Sequence, residues 1–97
     1  MKEINDYLGH KINIGDILLY NQKASKGYYS SFEEGLVVML HKGRVLVCSN
    51  DYDLENYKKH MNEDCAWIKP YVDGKYGENT VNLTALGLRE NKKELLI

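Results

Sequence analysis

The chain has 97 residues, enough for one domain with its own core and too few for two. With 43% apolar and 28% charged residues the composition is globular and lies far from the disordered class. Thirteen basic residues against fourteen acidic leave a formal charge of −1, which counts against binding nucleic acid by broad phosphate neutralisation but leaves room for a local basic patch.

Taken in chain order, the N-terminus Met-Lys-Glu-Ile-Asn-Asp lacks the apolar run of a signal peptide, and no later stretch is apolar for anything near 18 residues. The expected setting is cytoplasmic, without a membrane, and Cys48 and Cys65 are then expected as reduced thiols, Cys48 as a small core residue. Ile4, Tyr7 and Leu8 fall at i, i+3 and i+4 ahead of Gly9, which predicts a short helical turn with a glycine cap. Ile12 and Ile14 alternate with polar neighbours, Gly15-Asp16 punctuates, and Ile17 to Tyr20 reads as a strand. Residues 21–31 are polar apart from Ala24 and Tyr28-Tyr29 and are expected as a loop.

The strongest local signal is the pair of runs Leu36–Leu40 and Val45–Cys48 around Lys42-Gly43. A two-residue turn at Lys42-Gly43 sets His41 opposite Arg44, Leu40 opposite Val45, Met39 opposite Leu46 and Val38 opposite Val47. One face of this hairpin then carries Leu36, Val38, Leu40, Val45 and Val47, and the other Val37, Met39, Leu46 and Cys48. Both faces are apolar, so both call for a cover: the core on one side, and a helix, a terminus or a second subunit on the other. Leu54, Tyr57 and Met61 share one helical face within residues 51–61, a predicted helix whose acidic start and basic end suit the helix dipole. Trp67 to Val72 returns to strand character, interrupted by Pro70. Asp73-Gly74 is a hairpin-turn signal. Thr80 to Ala85 alternates, with Val81, Leu83 and Ala85 expected inward and Asn82 and Thr84 outward. The chain closes on a charged stretch and Leu95-Leu96-Ile97.

Signals for chemistry are thin. His10, His41 and His60 are far apart, and no His-x-x-x-His, Cys-x-x-Cys, phosphate loop or Gly-x-Ser-x-Gly elbow occurs. Glu33-Glu34 are neighbours on an extended segment and point to opposite faces, so they do not form an acid–base pair. The reading is a non-enzyme without cofactor or metal. Eight of the ten aromatics are tyrosine, a residue that suits strands and also offers an amphipathic surface to a partner. Lys26, Tyr28 and Tyr29 share one loop, while Lys42 and Arg44 sit at the hairpin tip. Cations interleaved with aromatics are the residue types that anchor interfaces or stack on bases. These five form the candidate partner-binding set, with the alternative that Tyr28 and Tyr29 open the second strand and one of them enters the core.

Gly15-Asp16-Ile17-Leu18-Leu19-Tyr20, then Gly35-Leu36-Val37-Val38, then Lys42-Gly43-Arg44-Val45-Leu46-Val47 resembles the KOW-type and related SH3-like small barrels over residues 14–49. The resemblance implies an SH3-like barrel; with the helix expected over residues 51–61 and a length that fits one domain, the expected fold is a mainly β domain over residues 1–97, a five-stranded SH3-like barrel with one helix inserted after the third strand. The overall manner also resembles the small accessory proteins of large bacteriophages, which implies stoichiometric binding to a host protein; a KOW-like nucleic-acid-binding domain is the alternative, and a small enzyme comes third.

Overall fold

A computed structural model describes residues 3–23, 30–48, 65–72 and 79–91. Among the described residues seven strands follow in chain order: β1 (Ile4–Asn5), β2 (Ile17–Lys23), β3 (Ser30–His41), β4 (Arg44–Cys48), β5 (Cys65–Ile68), β6 (Tyr71–Val72) and β7 (Thr80–Asn82). Five of them form one antiparallel sheet in the order β5-β4-β3-β2-β7, and β1 pairs with β6 in a separate two-stranded ribbon. The fold is therefore mainly β, and no helix occurs among the described residues. The five-stranded sheet is not closed into a barrel: β5 and β7 are its two edges and do not pair with each other.

The hairpin forms at its predicted turn. Lys42 and Gly43 both have positive φ, 48° and 80°, as a two-residue turn with the strands' own twist requires, and His41↔Arg44, Leu40↔Val45 and Met39↔Leu46 pair as expected. Beyond Met39 the register departs from expectation. Val47 pairs with Val37 rather than Val38, and a β-bulge between Val37 and Met39 absorbs the extra residue. One inserted residue reverses the parity of everything before it. Val37 therefore joins Leu40, Val45 and Val47 in the inner core, whereas Leu36 and Val38 pass to the opposite face with Ile17 and Leu83.

The inner core comprises Leu18, Tyr20, Val37, Val45, Val47 and Ile68 from the large sheet, closed by Ile4 and Ile12. Burying each of these side chains contributes about 1.5–3 kcal/mol, which makes this face the main source of stability. The predicted N-terminal helical turn is absent. Ile4 is drawn into β1 opposite Val72, and the Asp6 carboxylate accepts hydrogen bonds from the Leu8 and His10 backbone amides, which builds a turn in its place and leaves Tyr7 and Leu8 exposed. Residues 21–23 and 30–31, expected as loop, extend β2 and β3, because backbone pairing continues past the apolar zone through Asn21↔Phe32, Gln22↔Ser31 and Lys23↔Ser30. Pro70, which lacks an amide hydrogen, falls between β5 and β6, where the chain leaves the large sheet for the small one. The predicted helix over 51–61, the Asp73-Gly74 turn and the Leu95-Leu96-Ile97 end lie outside the described residues.

Around the last strand the expected alternation fails at Asn82 and Ala85, whereas Leu83 is buried as expected. Thr80 and Asn82 are buried and Val81 is half-buried, while Ala85 is exposed in the turn after β7. At Asn82 polar satisfaction outweighs apolar alternation. The Asn82 amide nitrogen donates to Asp16 Oδ2 at 2.9 Å and to the Lys11 carbonyl at 3.1 Å, and its backbone N–H donates to Asp6 Oδ2 at 2.7 Å. A buried asparagine with these partners joins the N-terminal segment, the start of β2 and β7 in one network.

Candidate functional site

Two constellations stand out, and the first is that buried network. Asp6 and Asp16 are both nearly inaccessible, as paired acids at a catalytic centre would be. Their oxygens are already committed. Asp6 Oδ1 accepts from Leu8 N and His10 N, and Oδ2 accepts from Asn82 N with His10 Nδ1 at 3.3 Å. Asp16 Oδ2 accepts from Asn13 N and Asn82 Nδ2, and Oδ1 accepts from Asn91 Nδ2 at 2.7 Å. Carboxylates whose acceptor sites are filled by the protein's own donors hold the chain together and present little to a substrate. Among the described residues no group of three or more His, Cys, Asp or Glu side chains could hold a metal ion.

The second constellation lies on the outer face of the large sheet. Met39, Leu46 and Trp67 form a continuous cross-strand row over β3, β4 and β5, through the pairs Met39↔Leu46 and Leu46↔Trp67. Leu46 is buried, whereas Met39 is 39% exposed and Trp67 47% exposed. The next pair on this face of the hairpin is His41↔Arg44, and the His41 ring meets Trp67 edge-on at 6.4 Å between centroids with 60° between planes. Edge-to-face contacts of this kind are favourable between aromatic rings. Arg44 and Lys42, both exposed, set positive charge at the tip beside it.

The outer face is covered unevenly. Towards β2, residues 83–91 fold back across it: Leu83 packs on Ile17 and Leu36, Thr84 Oγ1 accepts from Ile17 N at 2.9 Å, and the Arg89 guanidinium pairs with Glu34 at 2.9 Å. Towards β5 lies the Met39–Trp67 row. Phe32, 65% exposed, belongs to the far end of β3 and is remote from it.

Of the five residues expected to bind a partner, Lys42 and Arg44 lie at the hairpin tip and join this site, while Lys26, Tyr28 and Tyr29 lie outside the described residues. Sequence reasoning missed Trp67 and His41 as site residues. The available signals were the pairing that sets Met39 against Leu46 and the apolar character of both hairpin faces, which together called for something on the second face. Nothing local to Trp67 showed that β5 would place it beside Leu46. No family model, curated protein or solved structure matches the chain.

No helix among the described residues is long and apolar enough to cross a membrane.

Proposed function

We propose that this chain is a non-catalytic binding module of SH3-like type that acts by occupying a protein partner, with the outer-face row Met39–Leu46–Trp67 as the contact centre, His41 beside it, and Lys42 and Arg44 as its cationic margin. The observation that carries this reading is a tryptophan and a methionine, each at least a third exposed, over a buried leucine on a rigid sheet. Trp, Met and Arg are enriched at protein interfaces. The matching partner surface has an apolar centre and an acidic rim. The resemblance to phage accessory proteins makes that partner a host protein. The SH3-like part of the reading draws on strand order: the first long strand, β2, pairs with both β3 and the last strand of the sheet, β7, and the long β3 carries a bulge.

The test is affinity capture from a cell lysate by the tagged full chain and by Trp67→Ala and Arg44→Glu, with and without nuclease and across a salt series. Trp67→Ala is expected to weaken capture tenfold or more, the range of an interface anchor, while keeping a cooperative melt. Arg44→Glu is expected to slow association and reduce its salt dependence. Capture that disappears with nuclease, or falls steeply with salt in every variant, would transfer the assignment to the KOW-like nucleic-acid reading. Undiminished capture by Trp67→Ala would remove the outer face as the site.

A further inference from the structure

Cys48 and Cys65 are directly opposed across β4 and β5, and their Sγ atoms lie 2.8 Å apart as two thiols in contact. The expectation of reduced thiols did not anticipate this adjacency, which arises because β5 returns antiparallel along β4 after 17 positions of chain. Opposed residues of an antiparallel pair have Cα atoms about 4.5–5.5 Å apart, within the range that disulfides span. Closing the bond asks the sulfurs to approach by less than about 1 Å. Cys48 is buried and Cys65 is partly exposed, so the two thiols have different access to reagents.

We propose that Cys48 and Cys65 form a thiol–disulfide exchange site that closes to a cross-strand bridge on reaction with a low-molecular-weight disulfide. Cys65, the accessible thiol, loses its proton to water, and its thiolate attacks one sulfur of the external disulfide. That S–S bond breaks, one small thiol departs with the electron pair and takes up a proton, and a mixed disulfide remains on Cys65. Cys48 then loses its proton, attacks Cys65 Sγ, and expels the second small thiol. The protein's two thiols are oxidised by two electrons, and the external disulfide is reduced to two thiols. The bridge joins Cys48 at the end of β4 to Cys65 at the start of β5, so it covalently links two points 17 positions apart in the unfolded chain as well. The pair lies two residues along from Leu46 and Trp67 on the same face, and its chemistry is tested on the chain without a partner.

Oxidised glutathione is the probe. The reduced full chain is incubated with it, quenched in acid, alkylated and weighed, and its melting temperature is measured before and after. The expected product is a monomer two hydrogens lighter that takes up no label, reverts with dithiothreitol, and melts roughly 10 °C higher than the reduced chain. Cys48→Ser is expected to stop at a single glutathione adduct on Cys65, and Cys65→Ser to remain unmodified over the same exposure. A wild-type chain that accumulates glutathione adducts, takes up two labels throughout, or cross-links to a second chain would overturn the proposal, and this arm needs no variant to fold.

Discussion

On its inner face the large sheet buries Leu18, Tyr20, Val37, Val45, Val47 and Ile68 to 2% exposure or less, whereas on its outer face burial declines along β3 from Leu36 to Met39. The residue types on the two faces are nearly the same, so hydrophobicity alone does not separate them. What separates them is the covering chain. Residues 4–12 close the inner face with Ile4 and Ile12, while residues 83–91 reach only the β2 side of the outer one. An apolar strand face is thus core or contact surface according to whether another segment returns to it, and the return here is secured by polar groups. Asn82 between Asp6 and Asp16, and Arg89 on Glu34, fix where those segments lie.

The largest effect expected from this contrast comes from two adjacent residues, Val37 and the inserted bulge residue Val38. Val37→Asp places an unpaired carboxylate in the inner core, at a cost of several kcal/mol against a total stability of roughly 5–10 kcal/mol for a domain of this size. No cooperative melt is expected. Val38→Asp falls at the half-buried bulge position on the outer face and is expected to remain folded, with a loss of about 1–2 kcal/mol by chemical denaturation. The unshifted register forecasts the reverse order, so the two melts together decide whether the bulge is present.

A smaller effect tests how tightly the inner face is packed. Gly35 lies under the Tyr20 ring, and a Cβ there would stand 2.9 Å from Tyr20 Cε1 and 3.1 Å from Val47 Cβ. Gly35→Ala is expected to cost about 1–3 kcal/mol as the ring is displaced. Met39→Ala, on the exposed end of the same strand, is expected to cost less than that. Equal losses would mean that the outer row is covered as completely as the core.

How much of this was legible depended on the range of the interactions involved. The Lys42-Gly43 turn and the three pairs nearest to it follow from local chemistry, as does the strand from Ile17 to Tyr20. The bulge did not, because Leu-Val-Val-Met-Leu offers an apolar residue at every position and so carries no mark of which one is inserted. The burial of Asn82 was hidden for a related reason: its partners Asp6 and Asp16 stand more than sixty positions away in the chain. In the candidate site, Lys42 and Arg44 were legible as exposed cations at a turn. Trp67 was not, since its neighbours Leu46 and His41 belong to another part of the chain.

The smallest expected effect has the opposite sign and links the turn to the proposed contact surface. Lys42 holds a φ of 48°, a left-handed conformation that costs a side chain with a Cβ about 1–2 kcal/mol and that asparagine tolerates better than lysine. Asn-Gly is the preferred sequence for this two-residue turn, so Lys42→Asn is expected to stabilise the chain by about 0.5 kcal/mol and raise Tm by a few degrees. A lysine at a position where asparagine folds better is accounted for if its charge acts outside the fold, at the cationic margin of the Met39–Trp67 row. The variant should then associate with the captured partner several-fold more slowly at low salt, with its dissociation rate unchanged, as befits a peripheral charge. If Tm rises and the association rate holds, Lys42 has no part in binding, and Arg44 alone is left as the site's basic edge.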